Sequence, residues 1–189
     1  LNQWVRRLVF DEDNEYALCM FPISSWFATR FDHLVIDLKH RCVSGPFYHC
    51  LGISSFFEGD IGGMAYPLCK IFMKKESYET PLSMFIDVLV ADGLDTEYYF
   101  KNVIKCIMVD FSQYQYKSIK KVFAQKFKEG DNLAENLLCG CMVHFKRSVT
   151  RILKCVPIEE SKKNLLKGLA HTVQDVQTKE DIMRILQTI

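Results

Sequence analysis

Two aspartates close hydrophobic runs of strand length: Asp37 in Leu34-Val35-Ile36-Asp37, and Asp110 in Cys106-Ile107-Met108-Val109-Asp110. Short apolar runs bounded by turn residues read as buried strands. If the two strands are neighbours, both carboxylates project at one end of a sheet. Adjacent carboxylates repel each other unless a cation neutralises them. Oxygen donors of this kind suit Mg²⁺ or Mn²⁺, and two such ions can clamp the attacking and leaving oxygens of a phosphodiester. The competing explanation is local: an acid after a strand meets solvent or caps the next helix, and a helix follows Asp110 at once from Ser112.

A second group lies near the other end of the chain. Cys141 and His144 are spaced as half a zinc site, with Cys139 nearby. Structural zinc takes four ligands in two spaced pairs. The other pairs on offer, His40 with Cys42 or His49 with Cys50, lack suitable spacing, so zinc is not expected. Cys141 then packs at a strand end, and His144 starts a helix near the acidic pair. Lys146, Arg147, Arg151 and Lys154 partly share one face of that helix, which fits contact with a DNA backbone. A solvated face opposite Phe145, Val149, Ile152 and Leu153 explains them equally well. There is no Gly-x-Ser-x-Gly elbow and no phosphate-binding glycine loop, and Tyr98, Tyr99, Tyr114 and Tyr116 read as core and rim residues.

The elements that must position these groups follow from periodicity. Residues 1–32 suggest a strand or two and then a short helix, with Ser24 and Ser25 placed to cap it. Strands are expected over His33–Leu38, Phe47–Ser54 and Met64–Met73. Turns at Ser44-Gly45-Pro46 and Glu58–Gly63 join them into an antiparallel meander. Leu82, Phe85, Ile86 and Leu89 recur at helical spacing within Ser77–Val90, with Gly93 just past the end. Lys101–Val109 reads as a continuous central strand. Tyr116, Ile119, Phe123 and Phe127 define an amphipathic helix from Ser112 to Lys128. Asn136–Val143 reads as a short buried strand, His144–Leu153 as a helix, Pro157 to His171 as another, and Thr178-Lys179-Glu180-Asp181 as the capped start of a last one.

Composition bounds the classes that remain. The 189 residues are 49% hydrophobic and 25% charged, the balance of a globular domain. No apolar run reaches the ~18–20 residues of a membrane helix, so no membrane partner is expected. Asp11, Glu12, Asp13 and Glu15 arrive too early for a signal peptide, which points to the nucleus or cytoplasm; the opening Leu1 reads as a fragment or processed chain. The eight cysteines sit mostly in apolar runs and read as free thiols. A net charge of +1 conceals an asymmetry: from Lys117 onward 14 Lys and Arg face 8 Asp and Glu, against 10 and 15 before it. A basic C-terminal third can lie along nucleic acid.

From Leu34 to Thr150 the order of signals resembles the catalytic core of Mutator-like transposases, within the RNase H-like superfamily. That family carries Asp-Gly-Thr after a hydrophobic strand, where this chain has Asp37-Leu38-Lys39-His40. Its Asp-Phe-Glu corresponds to Asp110-Phe111-Ser112, and its Gly-Cys-x-x-His-Phe to Gly140-Cys141-Met142-Val143-His144-Phe145. The Lys74-Lys75-Glu76-Ser77 segment and the helix after it are also similar. The resemblance implies an α/β, RNase H-like mixed sheet: a three-strand antiparallel meander plus parallel strands, flanked by helices, with a C-terminal helical segment. It divides the chain into an N-terminal extension packing on the core (1–32), the core itself (33–155) and the start of a transposase-type insertion (156–189).

It also implies Mg²⁺ or Mn²⁺ on Asp37 and Asp110, support from Cys141 and His144, and DNA as partner, for metal-dependent phosphodiester cleavage and strand transfer. The departures bear on activity. Leu38 and Lys39 replace Gly-Thr, Ser112 replaces an acid, and none of Glu159, Glu160 or Glu180 copies the third-acid motif. The expectation is an incomplete or inactive centre. The rival is a domesticated transposase fold that binds protein or DNA, as a regulator or effector, without catalysis.

Overall fold

The structure, a computed structural model, describes residues 4–10, 13–41, 45, 47–59, 62–110 and 112–172. Two compact units divide the chain at Cys139 and Gly140. The first is an α/β layer built on a mixed, open sheet of seven strands.

Strands β1 (Val5–Phe10) and β2 (Glu15–Met20) form a hairpin, followed by the short helix α1 (Ser24–Ala28). Strands β3 (His33–His40), β4 (His49–Gly59) and β5 (Gly62–Met73) make the expected antiparallel meander. Burial alternates along β3 as a pleated strand requires: Leu34, Ile36 and Leu38 are buried on one face while Val35 and Asp37 stand half-buried on the other. The register reaches Gly59 opposite Gly62, leaving two residues for the β4–β5 turn. The N-terminal hairpin extends this sheet, with β2 antiparallel to β5. Ser24 and Ser25 lie inside α1 rather than capping it, and the Ser25 hydroxyl bonds the Asp92 carboxylate instead.

Helix α2 (Glu79–Ala91) buries Leu82, Phe85, Ile86 and Leu89, and Gly93 follows its end at φ +86°, a conformation glycine adopts at little cost. The expected strand over Lys101–Val109 is shorter than its apolar run. Helix α3 (Thr96–Tyr98) continues into a π-helical turn over Tyr99–Val103, and β6 holds only Cys106–Val109. Burial of Tyr99 and Phe100 drives that turn, and the Tyr99 hydroxyl donates to Ala28 O at 3.0 Å.

Helix α4 (Gln113–Lys126) packs Ile119, Val122 and Phe123 inward, whereas Tyr116 stays exposed with Lys120 over its ring. Gln115 takes the buried position instead. The strand expected over Asn136–Val143 shortens to β7 (Leu138–Gly140), because helix α5 (Gly130–Leu137) runs into its start. Glu129, at φ +59°, turns the chain sharply into α5. Sheet order is β1-β2-β5-β4-β3-β6-β7, with β6 parallel to β3.

The start of β3 is fastened to the start of β6 by charge. Asp32 bonds Lys105 Nζ and His33 Nδ1, each at 2.6 Å, while Lys105 N–H donates to Asp32 O at 2.7 Å. Lys105, then His33, holds the Asp32 carboxyl at about 2, below its ordinary 3.8. A depressed carboxyl contributes stability above its unfolded pKa and loses it as the pH falls through the folded one. Urea midpoints should therefore drop between about pH 4 and pH 2, and Asp32→Asn should remove that part of the drop. With the carboxylate 38% exposed, solvent screening keeps the contribution below about 1 kcal/mol. A variant as acid-sensitive as the wild type would exclude the pairing as its source.

In the second unit, α6 (Met142–Cys155) and α7 (Glu160–Thr172) form a helical hairpin, broken at Val156 to Glu159 around Pro157. The helix expected from Thr178 lies outside the described residues. No helix among the described residues is long and apolar enough to cross a membrane.

Candidate metal centre

The parallel pairing of β3 with β6 sets the geometry of the two acids. Leu34 pairs with Ile107 and Val35 with Met108; the same offset, carried two residues on, sets Asp37 beside Asp110. Strand β3 continues through His40, so Asp37 lies within the strand instead of ending it, whereas Asp110 directly follows β6. Both are half-buried, and their carboxylate oxygens approach within 4.8 Å. Two negative charges this close favour an oxygen-seeking cation or a shared proton.

Capping does not account for Asp110. The N-cap of α4 is Ser112, whose Oγ accepts from Gln115 N–H at 3.4 Å. The residue that braces the pair is Gln115, 1% exposed. Its side-chain oxygen accepts from Asp110 N–H at 3.0 Å, and its side-chain nitrogen donates to Ile36 O at 3.1 Å. One buried amide thus ties together the two strands that carry the acids. Sequence reasoning missed it, because a glutamine in a helix reads as a surface residue; its position three residues after a capping serine was the available signal.

The surroundings of the acids are uneven. Tyr78 is buried nearby and its phenol is pushed up, first by burial and then by the charges of Glu76 and Asp110. On the open face of the sheet, a cavity of about 800 Å³ is lined by Val35, Asp37, Lys39, Gly52, Ser54 and Lys70, among others. Gly52 is the cross-strand partner of Asp37 and leaves one flank of the carboxylate uncovered. Two ammonium groups, Lys39 and Lys70, line the same cavity.

The remaining expected residues belong to the second unit. Cys141 is the half-buried N-cap residue of α6, and His144 stands in the first turn. Lys146, Arg147, Arg151 and Lys154 do gather on one face, and with Thr150 and Lys167 they line a cavity of about 450 Å³. Lys167 comes from α7, which the sequence of α6 alone could not indicate. Of the zinc pairs weighed above, His49 and Cys50 are adjacent in β4 and project to opposite faces, so they do not form a chelating pair; Cys42 lies outside the described residues. The seven described cysteines are free thiols, and burial followed by a hydrogen bond with Cys139 pushes the Cys106 thiol up to about 12. No protein-family model, curated protein or solved structure matches this chain.

Proposed function

We propose that the chain is a transposase-derived, RNase H-like domain in which Asp37 and Asp110 hold a divalent cation at a phosphodiester-cleaving site that is no longer complete. The observation that carries this reading is the approach of the two carboxylates on neighbouring parallel strands. A meander whose first strand pairs in parallel with the strand after a helical crossover is also the arrangement expected of that fold.

The donor set fits Mg²⁺ or Mn²⁺, since it offers half-buried carboxylate oxygens beside an open cavity. A bound ion would supply Lewis-acid stabilisation of charge developing on a phosphate. The chain's own contribution is placement: Asp37 and Asp110 hold the site, and Gln115 fixes their strands. The cations Lys146, Arg147, Arg151, Lys154 and Lys167 contact the DNA backbone. The family resemblance also implies a supporting role for Cys141 and His144. With no third acid evident in the sequence, cleavage is weak or absent.

Calorimetric titration of Mn²⁺ into wild type and an Asp37→Ala, Asp110→Ala double variant tests this. The wild type should bind and the variant should not, and either single alanine should abolish any metal-dependent cleavage. Cleavage that survived both changes would sink the mechanism. One observation favours the rival, a binding module without catalysis: Lys39 and Lys70 line the same cavity as Asp37 and bring positive charge to the space beside it. A wild type that takes up no Mn²⁺ would establish that reading, with the protein or DNA partner to be found by pull-down.

A further inference from the structure

At the far end of β3 and β4, His40 and His49 occupy directly opposed positions of the antiparallel ladder. Their rings meet edge to face with centroids 5.0 Å apart, and the two Nδ1 atoms are 2.9 Å apart. His40 is exposed and His49 half-buried, so the pair opens to solvent. The frame around it is fixed. Arg41 N–H donates to Tyr48 O at 2.7 Å, closing the ladder one residue beyond the pair, and the Arg41 guanidinium lies over the Tyr48 ring.

We propose that His40 and His49 form a second cation site, a two-imidazole chelate for a nitrogen-preferring late transition ion such as Ni²⁺. Imidazole suits these ions, which Mg²⁺-type oxygen sites do not select. Geometry narrows the choice. Two nitrogens about 2.0–2.1 Å from one ion stand about 2.9 Å apart at a right angle and about 3.4 Å apart at the tetrahedral angle. The observed separation matches the right angle of square-planar or octahedral coordination, with water completing the shell. Binding requires that the proton held between the rings move from Nδ1 to the Nε2 of its own ring, and that both rings turn until their Nδ1 lone pairs converge on the ion. The site is separate from the acidic pair, because Asp37 lies three residues before His40 and projects from the opposite face of β3.

The test is Ni²⁺ titration by calorimetry on the full chain, stripped of metal and held reduced, in a non-coordinating buffer at neutral pH. Wild type should take up one Ni²⁺. His40→Gln and His49→Gln should each weaken uptake by about tenfold or more while keeping the wild-type circular dichroism. The Asp37→Ala, Asp110→Ala variant should bind Ni²⁺ as the wild type does, so this result stands apart from that of the Mn²⁺ experiment. Imidazole proton resonances of both histidines should broaden together as paramagnetic Ni²⁺ is added. Absence of uptake by the wild type overturns the proposal. So does binding unchanged in both histidine variants, which would assign the ion to the thiols.

Discussion

Replacing Gln115 with leucine should cost about 2–4 kcal/mol, since the buried Ile36 O and the part-buried Asp110 N–H would each lose their partner. The Gln115 side chain fills its space between α4 and the sheet at 1% exposure, which leaves little room for water to replace the bond to Ile36 O. Leucine keeps most of the volume, which limits any cavity contribution and makes the loss one of hydrogen bonding. Gln115→Glu distinguishes the two bonds: it retains an acceptor for Asp110 N–H and sets an oxygen against Ile36 O. It should be destabilised as well, and more so when ionised. Urea unfolding measures the first effect and Mn²⁺ affinity the second. If the proposed metal site exists, removing the residue that fixes its two strands should lower Mn²⁺ affinity by about tenfold. A Gln115→Leu domain as stable as wild type would show that the amide does not brace the strands.

Phe123→Ala should cost about 3–5 kcal/mol, the upper range for truncating a core side chain. Phe123 is fully buried, and its ring stands 5.1 Å from Phe100 and 5.1 Å from Phe127, which are themselves 5.3 Å apart. The cluster cannot collapse around a truncated ring, because α5 already presses on the backbone there. A Cβ added to Gly130 would lie 1.9 Å from Phe123 O. A rigid wall on that side preserves the cavity and with it the cost. Tyr116→Ala, two turns back toward the start of the same helix and 38% exposed, should stay within about 0.5 kcal/mol of wild type. Equal losses for the two variants in urea would contradict this account of the α4 face.

The contrast between Tyr116 and Gln115 shows where sequence reading stops. Strands β3 to β5 were legible as short apolar runs bounded by turn residues, and α2 because Leu82, Phe85, Ile86 and Leu89 keep helical spacing. On α4, hydrophobicity alone assigned Tyr116 to the core, but the buried place went to an amide whose value lies in two hydrogen bonds. The run before Asp110 carries apolar residues on both sides of Lys105, so nothing local separated the π-helical turn from β6. Helix α5 was hidden by Gly130, a poor helix former chosen for its close approach to Phe123. That β1 and β2 join the meander through β5 was not legible either, because such pairing depends on residues far along the chain. Of the site, the two acids were visible from their strands, while Gln115 was not. The grouping of basic residues on α6 was visible as well, but not its extension to Lys167.

The parallel contact between β3 and β6 also governs the order of assembly. Strands β3, β4 and β5 follow one another through short connections, so the meander forms from contacts that are cheap in chain entropy. Asp110 arrives from 73 residues beyond Asp37, after the whole helical crossover has closed. A partly folded chain holding only the meander carries Asp37 without its neighbour. An ion held by both acids therefore recognises the completed sheet alone, and by mass action its binding free energy is added to the last closure.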